Sequence, residues 1–406
     1  MRFSLHFRAG LKRQISELAG EMAAWETAPR IDESEAEKIK RSIRFFAHTT
    51  QRHDLVVGGV DGSGDYPALS YGDSFIYVTV AHGTRYTADP THGLREQPAP
   101  ESEIVEFSWL PEDPAKRHRA IDTAFERMAG QSIIDVIAES DYRELKDAGA
   151  RRSHTIEALA RELIRPHAAD SGNLAIQLRS TGELAAALKL IRASDPPRYV
   201  LYDGTFSLPF VTRANLSLFH EHLKRLCCVE ARKKGIAFMA LSKSHGLPGV
   251  ESLESLVAEA SGGTQGPHPE HWYLRIPTQR RDGWSLALIE SRSVPPPATV
   301  SYLVRFHRNV PVMRLDVDER YWEQFICGET AEATLRNEAQ LFEDLDYASH
   351  DQRAFGYPYP IKAGHDRASL TEAERTVLRK MIVDAAVDAG MNRKHFKSAS
   401  VATGHG

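Results

Sequence analysis

Apolar residues recur near the N-terminus with the period of an amphipathic helix. A second segment with the same pattern ends near Phe46. The two segments predict an appended helical arm over residues 1–50. The apolar positions of the first predicted helix are Phe3, Leu5, Leu11, Ile15, Leu18 and Met22.

Three apolar runs follow this arm, and loops rich in Gly, Pro and Asp separate them. The runs cover residues 55–60, 74–81 and 104–109 and have the composition of strands. Because loops rather than helices join them, we expect antiparallel neighbours. Residues 114–166 then have helical periodicity that glycines and charges interrupt, which predicts two or three helices within an insertion over about residues 114–170.

The second half of the chain alternates predicted helices with predicted strands. Helices at 183–192 and 216–234 alternate with strands at 199–202 and 236–241, which is the order of parallel crossover units. Further strands are expected at 272–276, 286–289, 300–306 and 312–315. We therefore predict an α/β fold with a mixed sheet flanked by helices.

The C-terminal part of the chain is predicted to be helical. Thr371 and Glu374 have the spacing of a capping box at the start of the last helix. The small polar residues of 397–406 predict a flexible tail, so the predicted core domain spans residues 51–396. The two helices are expected at 322–345 and 373–386.

Composition favours a globular domain. The chain has 406 residues, of which 42% are hydrophobic and 26% charged, and such values favour neither disorder nor a fibrous class. No apolar run approaches the roughly 20 residues of a membrane helix, and the N-terminus lacks a secretory cleavage pattern. We therefore expect a cytoplasmic protein without a membrane segment. The formal net charge of −4 does not exclude nucleic acid, because a local cationic groove suffices to bind it.

The cysteines do not predict a disulfide framework or a zinc site. Cys227, Cys228 and Cys327 are odd in number and lack the Cys-x-x-Cys spacing of metal ligands. We expect them to be buried thiols.

Two Asp-Gly pairs, each after an apolar run, carry the strongest chemical signal. Asp61-Gly62 follows the first predicted strand, and Asp203-Gly204 follows the strand at 199–202. A strand that ends in Asp-Gly projects a carboxylate from its tip, and the glycine admits a metal or phosphate close to the backbone. One such pair is usually a simple turn, but two at similar positions predict a divalent-cation site.

Three further residues are candidates for the same site. Glu183 lies one helix before Asp203, although Glu157 and Glu162 compete for its role. Lys243 directly follows a predicted strand, where a cation could hold a phosphate. His365 precedes a helix after a Pro-rich segment, and imidazole is a common metal ligand and proton carrier. Taken singly, each is also an ordinary surface residue.

These segments together resemble the NurA nuclease family, over residues from about 55 to about 370. The motifs are short, but they occur in the family's order. They are Val60-Asp61-Gly62-Ser63, Arg179 with Glu183, Leu201-Tyr202-Asp203-Gly204, Ser242-Lys243, and Gly356-Tyr357-Pro358 leading to His365.

The resemblance implies an RNase H-like core and a manganese-dependent deoxyribonuclease, an exonuclease that could also cut internally, with Mg²⁺ as the alternative ion. It further implies a homodimer that acts with a hexameric HerA-type ATPase in DNA-end processing, for repair or antiviral defence. By motif match the metal ligands would be Asp61, Glu183, Asp203 and His365, with Lys243 as a nearby basic catalytic residue. The departures at Thr205-Phe206 and at Gly364 remove none of these ligands.

Two other functions use similar features. An actin-like or sugar-kinase-like phosphotransferase also holds Mg²⁺ with Asp-Gly turns, but the C-terminal half lacks a Gly-rich adenosine-binding segment. A non-catalytic adaptor of an ATPase ring would need no ligands, whereas all four are present. Phosphodiester hydrolysis, by contrast, uses carboxylate-held divalent ions to activate water and to neutralise the leaving oxygen.

Overall fold

The computed structural model describes residues 5–25, 33–48, 52, 54–99, 102–146, 148–161, 163–206, 217–243, 253–262, 271–276 and 299–398. The helices are α1 Leu5–Trp25, α2 Glu33–Ser42, α3 Pro114–Ala129, α4 Ile133–Glu139, α5 Arg143–Lys146, α6 Arg152–Arg161, α7 Ser171–Arg192, α8 Phe219–Lys233, α9 Leu253–Ala260, α10 Glu319–Tyr321, α11 Ala331–Ala348, α12 Tyr359–Ala368 and α13 Glu372–Asp388. The strands are β1 Ile43–Phe45, β2 Val56–Tyr71, β3 Ser74–Asp89, β4 Gly93–Gln97, β5 Glu103–Leu110, β6 Leu163–Ile164, β7 Tyr199–Asp203, β8 Ser217–Leu218, β9 Ala237–Ser242, β10 Trp272–Arg275, β11 Thr299–Arg305, β12 Met313–Asp318, β13 His350–Asp351, β14 Ala354–Phe355 and β15 Phe396–Ser398.

The chain divides into two compact units. The smaller contains Met1–Phe45 and Gly246–Pro269, and the larger contains Phe46–His245 and Glu270–Gly406. In the smaller unit α2 lies against α9, where Lys40 forms an ion pair with Glu259. None of the helices in the described part of the chain combines the length and hydrophobicity needed to span a lipid bilayer.

The sheet of the larger unit has the strand order of an RNase H-like fold. β2, β3 and β5 form the predicted antiparallel meander, with β3 between the other two. β7 then pairs in parallel with the free side of β2, and β9 pairs in parallel with β7. The antiparallel strands β12, β11 and β10 extend the sheet beyond β9. The prediction of a mixed α/β sheet is confirmed.

Helices cover both faces of this sheet, because its strands bury side chains on both sides. On one face, Val60 and Tyr202 pack against α3, α7 and α8. On the opposite face, Val57 and Leu201 pack with residues of α11 and α12. The alternation of side chains along each strand therefore directs successive residues of β7, and of β2 from Val57 to Gly62, to opposite helical layers.

Asp61 does not end a strand, contrary to the sequence prediction. β2 continues to Tyr71, and its ladder with β3 runs through Asp61↔His82 and Ser63↔Val80. The Gly-rich sequence around Asp61 resembles a turn, but here glycine serves close packing inside a strand. Asp203 is the last residue of β7, as predicted.

Other differences are local. The predicted helix at 322–345 begins only at Ala331, because α10 and a π-helical turn, Trp322–Ile326, precede it. The capping box of Thr371 and Glu374 is present. Cys227 and Cys228 are buried as expected, whereas Cys327 is exposed.

Several sequence predictions involve parts of the chain outside the described residues. The predicted strand at 286–289 lies there, as do residues 399–406 of the predicted tail. Within that tail segment, β15 includes Lys397 and Ser398, which pair with β2.

Close packing of α12 on the sheet depends on glycine. A Cβ atom on Gly59 would lie 2.3 Å from the carbonyl carbon of Pro360, and one on Gly364 would lie 3.0 Å from the carbonyl oxygen of His82. The Thr84 hydroxyl donates a hydrogen bond of 2.7 Å to the Pro360 carbonyl. The helix thus lies directly on the backbone of β2 and β3.

We expect Gly59→Ala to destabilise the larger unit by about 1–3 kcal/mol, the usual cost of overpacking. The new methyl group would displace backbone rather than a flexible side chain. The midpoint of urea-induced unfolding measures the loss. Gly172→Ala is the matched control, because its Cβ would meet nothing within 4 Å. Equal stability of both variants would contradict this account of the packing.

Candidate active site

Asp61 and Asp203 occupy neighbouring positions on adjacent parallel strands. Val60 of β2 pairs with Tyr202 of β7, and each aspartate is the next residue along its strand. Adjacent strands lie about 4.8 Å apart and residues in register face the same side of the sheet, so the two carboxylates share the face that α12 covers. The structure therefore brings together the two carboxylates that the Asp-Gly motifs singled out.

α12 places His365 against Asp61. The imidazole Nδ1 lies 2.9 Å from Asp61 Oδ2, and the backbone amide of Gly62 donates a 2.7 Å hydrogen bond to Asp61 Oδ1. Both carboxylate oxygens are therefore engaged, although the His365 side chain remains 60% exposed. Gly364 allows this contact, since it brings the helix within reach of the Asp61 backbone.

Glu183 approaches from the opposite helical layer through the space left by Gly62. A Cβ atom at Gly62 would lie 2.7 Å from Glu183 Cγ. Glu183 is 2% exposed, and its Oε1 lies 3.3 Å from the Nε of Arg179 one helical turn earlier. Of the competing glutamates, Glu157 is exposed on α6 and Glu162 lies outside the described residues.

Burial and mutual repulsion shape the electrostatics of these carboxylates. Burial raises the pKa of Glu183 well above its ordinary value, Arg179 opposes the shift, and Asp61 and Asp203 add to it. Burial followed by the charge of Asp61 raises the pKa of Asp203, and Lys243 lowers it. The charge of Asp61 thus makes ionisation of both Glu183 and Asp203 more difficult, which is typical of carboxylates that await a cation.

Lys243 and Tyr357 complete the surroundings of Asp203. The Lys243 ammonium lies 3.6 Å from the centre of the Tyr357 ring. Burial, followed by the charge of Asp203, raises the pKa of the Tyr357 hydroxyl well above its ordinary value. Sequence reasoning quoted Tyr357 within a motif but assigned it no role. Its position directly before Pro358, the N-cap residue of α12, was the available signal.

The donor set of this site suits a hard divalent ion. Carboxylate oxygens with a single imidazole are ligands for Mn²⁺ or Mg²⁺ rather than for a thiolate-seeking metal. The four predicted ligands are not packed as tightly as a formed coordination sphere, however. Among the described residues, the group of donor side chains with all ligand atoms within 4.8 Å of one another is a different one, His48, His271, Asp346 and His350.

Comparison with known proteins gives similarities of fold. The NurA nuclease from Sulfolobus solfataricus is similar over 96% of this chain and 99% of its own, at 12% identity and a TM-score of 0.43. A NurA structure with manganese covers 95% of this chain and 99% of its own, at 13% identity and a TM-score of 0.39. A Ciona intestinalis endonuclease V bound to inosine-containing DNA covers 89% and 98%, at 12% identity and a TM-score of 0.27.

No family model and no curated protein matches the chain. The similarity to NurA structures is one of fold, and NurA is the family that the sequence motifs resemble.

Replacing Glu183 with Gln will change how the stability of the metal-free chain depends on pH. The folded-state pKa of Glu183 is raised above its ordinary value of 4.5. Its stabilising contribution is therefore complete below the unfolded pKa and is lost as the pH rises through the folded pKa. In EDTA we expect the variant to have a higher Tm than the parent at about pH 8, with the difference shrinking toward about pH 5.

Glu157→Gln is the matched control for this measurement. Glu157 is an exposed glutamate on α6, so its replacement should leave the pH profile of the parent unchanged. Parallel profiles for Glu183→Gln and the parent would contradict the assignment of Glu183 as a strained buried carboxyl.

Proposed function

We propose that this chain is a divalent-metal-dependent deoxyribonuclease that hydrolyses phosphodiester bonds. The observation that carries the proposal is the side-by-side placement of Asp61 and Asp203 on parallel strands, with Glu183 buried within electrostatic reach of both. The charges of Asp61 and Asp203 raise the pKa of the buried Glu183, and the charge of Asp61 raises that of Asp203, so a bound cation would favour the ionised forms of Glu183 and Asp203. A cation held by carboxylates activates water and stabilises a leaving oxygen.

The other residues have roles that follow from their positions. Asp61, Glu183, Asp203 and His365 are the proposed metal ligands, for Mn²⁺ with Mg²⁺ as the alternative. His365 is exposed and hydrogen-bonded to Asp61, so it can hold or carry a proton at the edge of the site. Lys243, held over the Tyr357 ring next to Asp203, supplies positive charge for a neighbouring DNA phosphate.

We expect Asp203→Ala and Asp61→Ala to reduce cleavage of linear DNA by more than about 100-fold, because the loss of a ligand exceeds the loss typical of outer-shell partners. Degradation of end-labelled DNA with and without Mn²⁺ measures the effect. Both variants should fold, since each relieves carboxylate repulsion. Asp195→Ala is the control, because the Asp195 side chain is 81% exposed and pairs with Arg85.

The same experiment separates the proposal from its rivals. A non-catalytic adaptor would leave DNA intact with every variant, and so would a phosphotransferase. Full cleavage by Asp61→Ala would refute the proposed metal site, while the absence of cleavage by the parent with Mn²⁺ would refute the nuclease itself. Labelling each DNA end separately distinguishes exonuclease from endonuclease products.

The proposal extends to a partner. By its resemblance to NurA nucleases, we propose a homodimeric cytoplasmic enzyme that works with a hexameric HerA-type ATPase in DNA-end processing, for repair or antiviral defence. The N-terminal arm is a suitable surface for contact with that ring. Its helix α1 exposes four apolar side chains on successive turns, Leu11, Ile15, Leu18 and Met22.

We expect Ile15→Asp with Met22→Asp to weaken binding to the ring ATPase by at least about tenfold, because exposed apolar patches mark interaction surfaces. DNA cleavage by the isolated chain should be unchanged. The control replaces the exposed Glu17 and Glu21 of the same helix with Ser. Undiminished ring binding after deletion of residues 1–25, measured by size-exclusion chromatography, would remove the proposed role of the arm.

A further inference from the structure

A second cluster of metal-ligating side chains lies in the larger unit and shares no residue with the candidate active site. Asp346 is at its centre. His48 Nδ1 lies 2.7 Å from Asp346 Oδ2, and His271 Nδ1 lies 2.9 Å from Asp346 Oδ1. His350 Nδ1 lies 3.2 Å from the same Oδ1. One ligand atom from each of the four residues can be chosen so that all lie within 4.8 Å of one another.

The cluster is built around a fully buried carboxylate. The Asp346 side chain is 0% exposed, whereas those of His48, His271 and His350 are 34%, 12% and 14% exposed. The imidazole rings crowd together, with centroids separated by 4.1 to 5.4 Å. Burial acts to raise the pKa of Asp346, but hydrogen bonds from His271, His350 and His48 hold it at about 2.

We propose that His48, His271, Asp346 and His350 form a closed, four-ligand site for a divalent ion that prefers imidazole, with Zn²⁺ as the expected occupant. Zinc binds imidazole nitrogen and carboxylate oxygen at about 2.0–2.2 Å in tetrahedral geometry, which places neighbouring ligand atoms about 3.3–3.6 Å apart. The imidazole nitrogens lie 2.7 to 3.2 Å from the Asp346 oxygens, and one ligand atom from each of the four residues lies within 4.8 Å of the others, so these separations bracket the zinc value. Three imidazoles favour zinc over the hard ions that suit the carboxylate-rich active site.

The expected role of this ion is structural, because four protein ligands leave no open position for a substrate. The ligands come from three parts of the sequence, because Asp346 and His350 are only four residues apart. His48 follows β1, His271 precedes β10, Asp346 lies near the end of α11, and His350 opens β13. An ion held by all four would join these segments at one point.

The site also lies at the start of the segment that leads to the candidate active site. After the β13–β14 hairpin, the Gly356 amide donates a 2.6 Å hydrogen bond to the Ser349 carbonyl. Tyr357 follows next to Asp203, and α12 then carries His365. Fixing His350 and Asp346 therefore fixes the beginning of the segment that positions Tyr357 and His365. This link makes the ion a positioning element rather than a catalytic one.

Metal content tests the proposal directly. The full-length chain is purified, incubated with Zn²⁺, passed through a desalting column, and analysed for zinc by mass spectrometry. We expect about one zinc ion per chain to be retained by the parent and by the Asp61→Ala/Asp203→Ala variant. We expect it to be lost by His271→Ala and by His48→Ala. His48→Ala is included because His48 is the most exposed of the four ligands, so its replacement should disturb the fold least.

His92→Ala is the matched control. His92 also contacts a carboxylate, with Nδ1 3.1 Å from Asp89 Oδ1, but its side chain is 73% exposed and it is outside the four-residue group. The control should retain zinc. Retained zinc should also raise the Tm of the parent but not that of His271→Ala.

Visible absorption spectroscopy of the cobalt-substituted protein identifies the type of ligands. Substitution with Co²⁺ should give the visible absorption of a tetrahedral nitrogen and oxygen site in the parent and not in His48→Ala. Absence of retained metal in the parent would overturn the proposal and leave a hydrogen-bonded His–Asp network. Zinc retained by both histidine variants but lost by Asp61→Ala/Asp203→Ala would overturn it as well, by assigning the ion to the active site.

Discussion

The approach of two helices to glycine positions of one strand is the constraint on which the candidate site depends. α12 lies on the backbone of β2 at Gly59, while α7 brings Glu183 against Gly62 from the other face. Alternation along the strand sends Gly59 and Asp61 toward α12 and Gly62 toward α7. Asp61 therefore lies between a histidine from one layer and a glutamate from the other. A side chain at either glycine would push His365 or Glu183 away from Asp61.

Sequence reasoning could find the acidic residues but not the geometry that unites them. Parallel crossover order was readable from the pattern, and parallel strands in register make Asp61 and Asp203 neighbours. The position of Asp61 within a strand was not readable, because Gly62 and Gly64 resemble a turn until the ladder with β3 is known. The contact between His365 and Asp61 depends on the packing of α12 against β2. No periodic pattern in the local sequence indicates that packing. The cluster around Asp346 was missed for the same reason, since His48 and His271 are distant in the sequence from Asp346 and His350.

The two clusters differ in what holds them together before a metal arrives. In the active-site cluster, Glu183 and Asp203 have raised pKa values, so the folded chain holds these acidic groups against repulsion and burial. In the histidine cluster, hydrogen bonds from three imidazoles lower the pKa of Asp346. The first arrangement is strained without a cation and open at His365. In the second arrangement, the imidazoles already contact the Asp346 carboxylate, and the side chains are mostly buried.

This difference determines what each metal can do. An open, carboxylate-rich site exchanges its ion and leaves room for water and phosphate, which catalysis requires. A site closed by three imidazoles and a buried carboxylate releases its ion slowly and adds the free energy of metal binding to that of folding. In the proposed assignment, the chain would keep a structural ion while the catalytic ion exchanges, because the two sites would select ions by ligand type rather than by affinity alone. The segment from Asp346 to His365 connects them, so the tightly held ion would set the geometry in which the weakly held ion works.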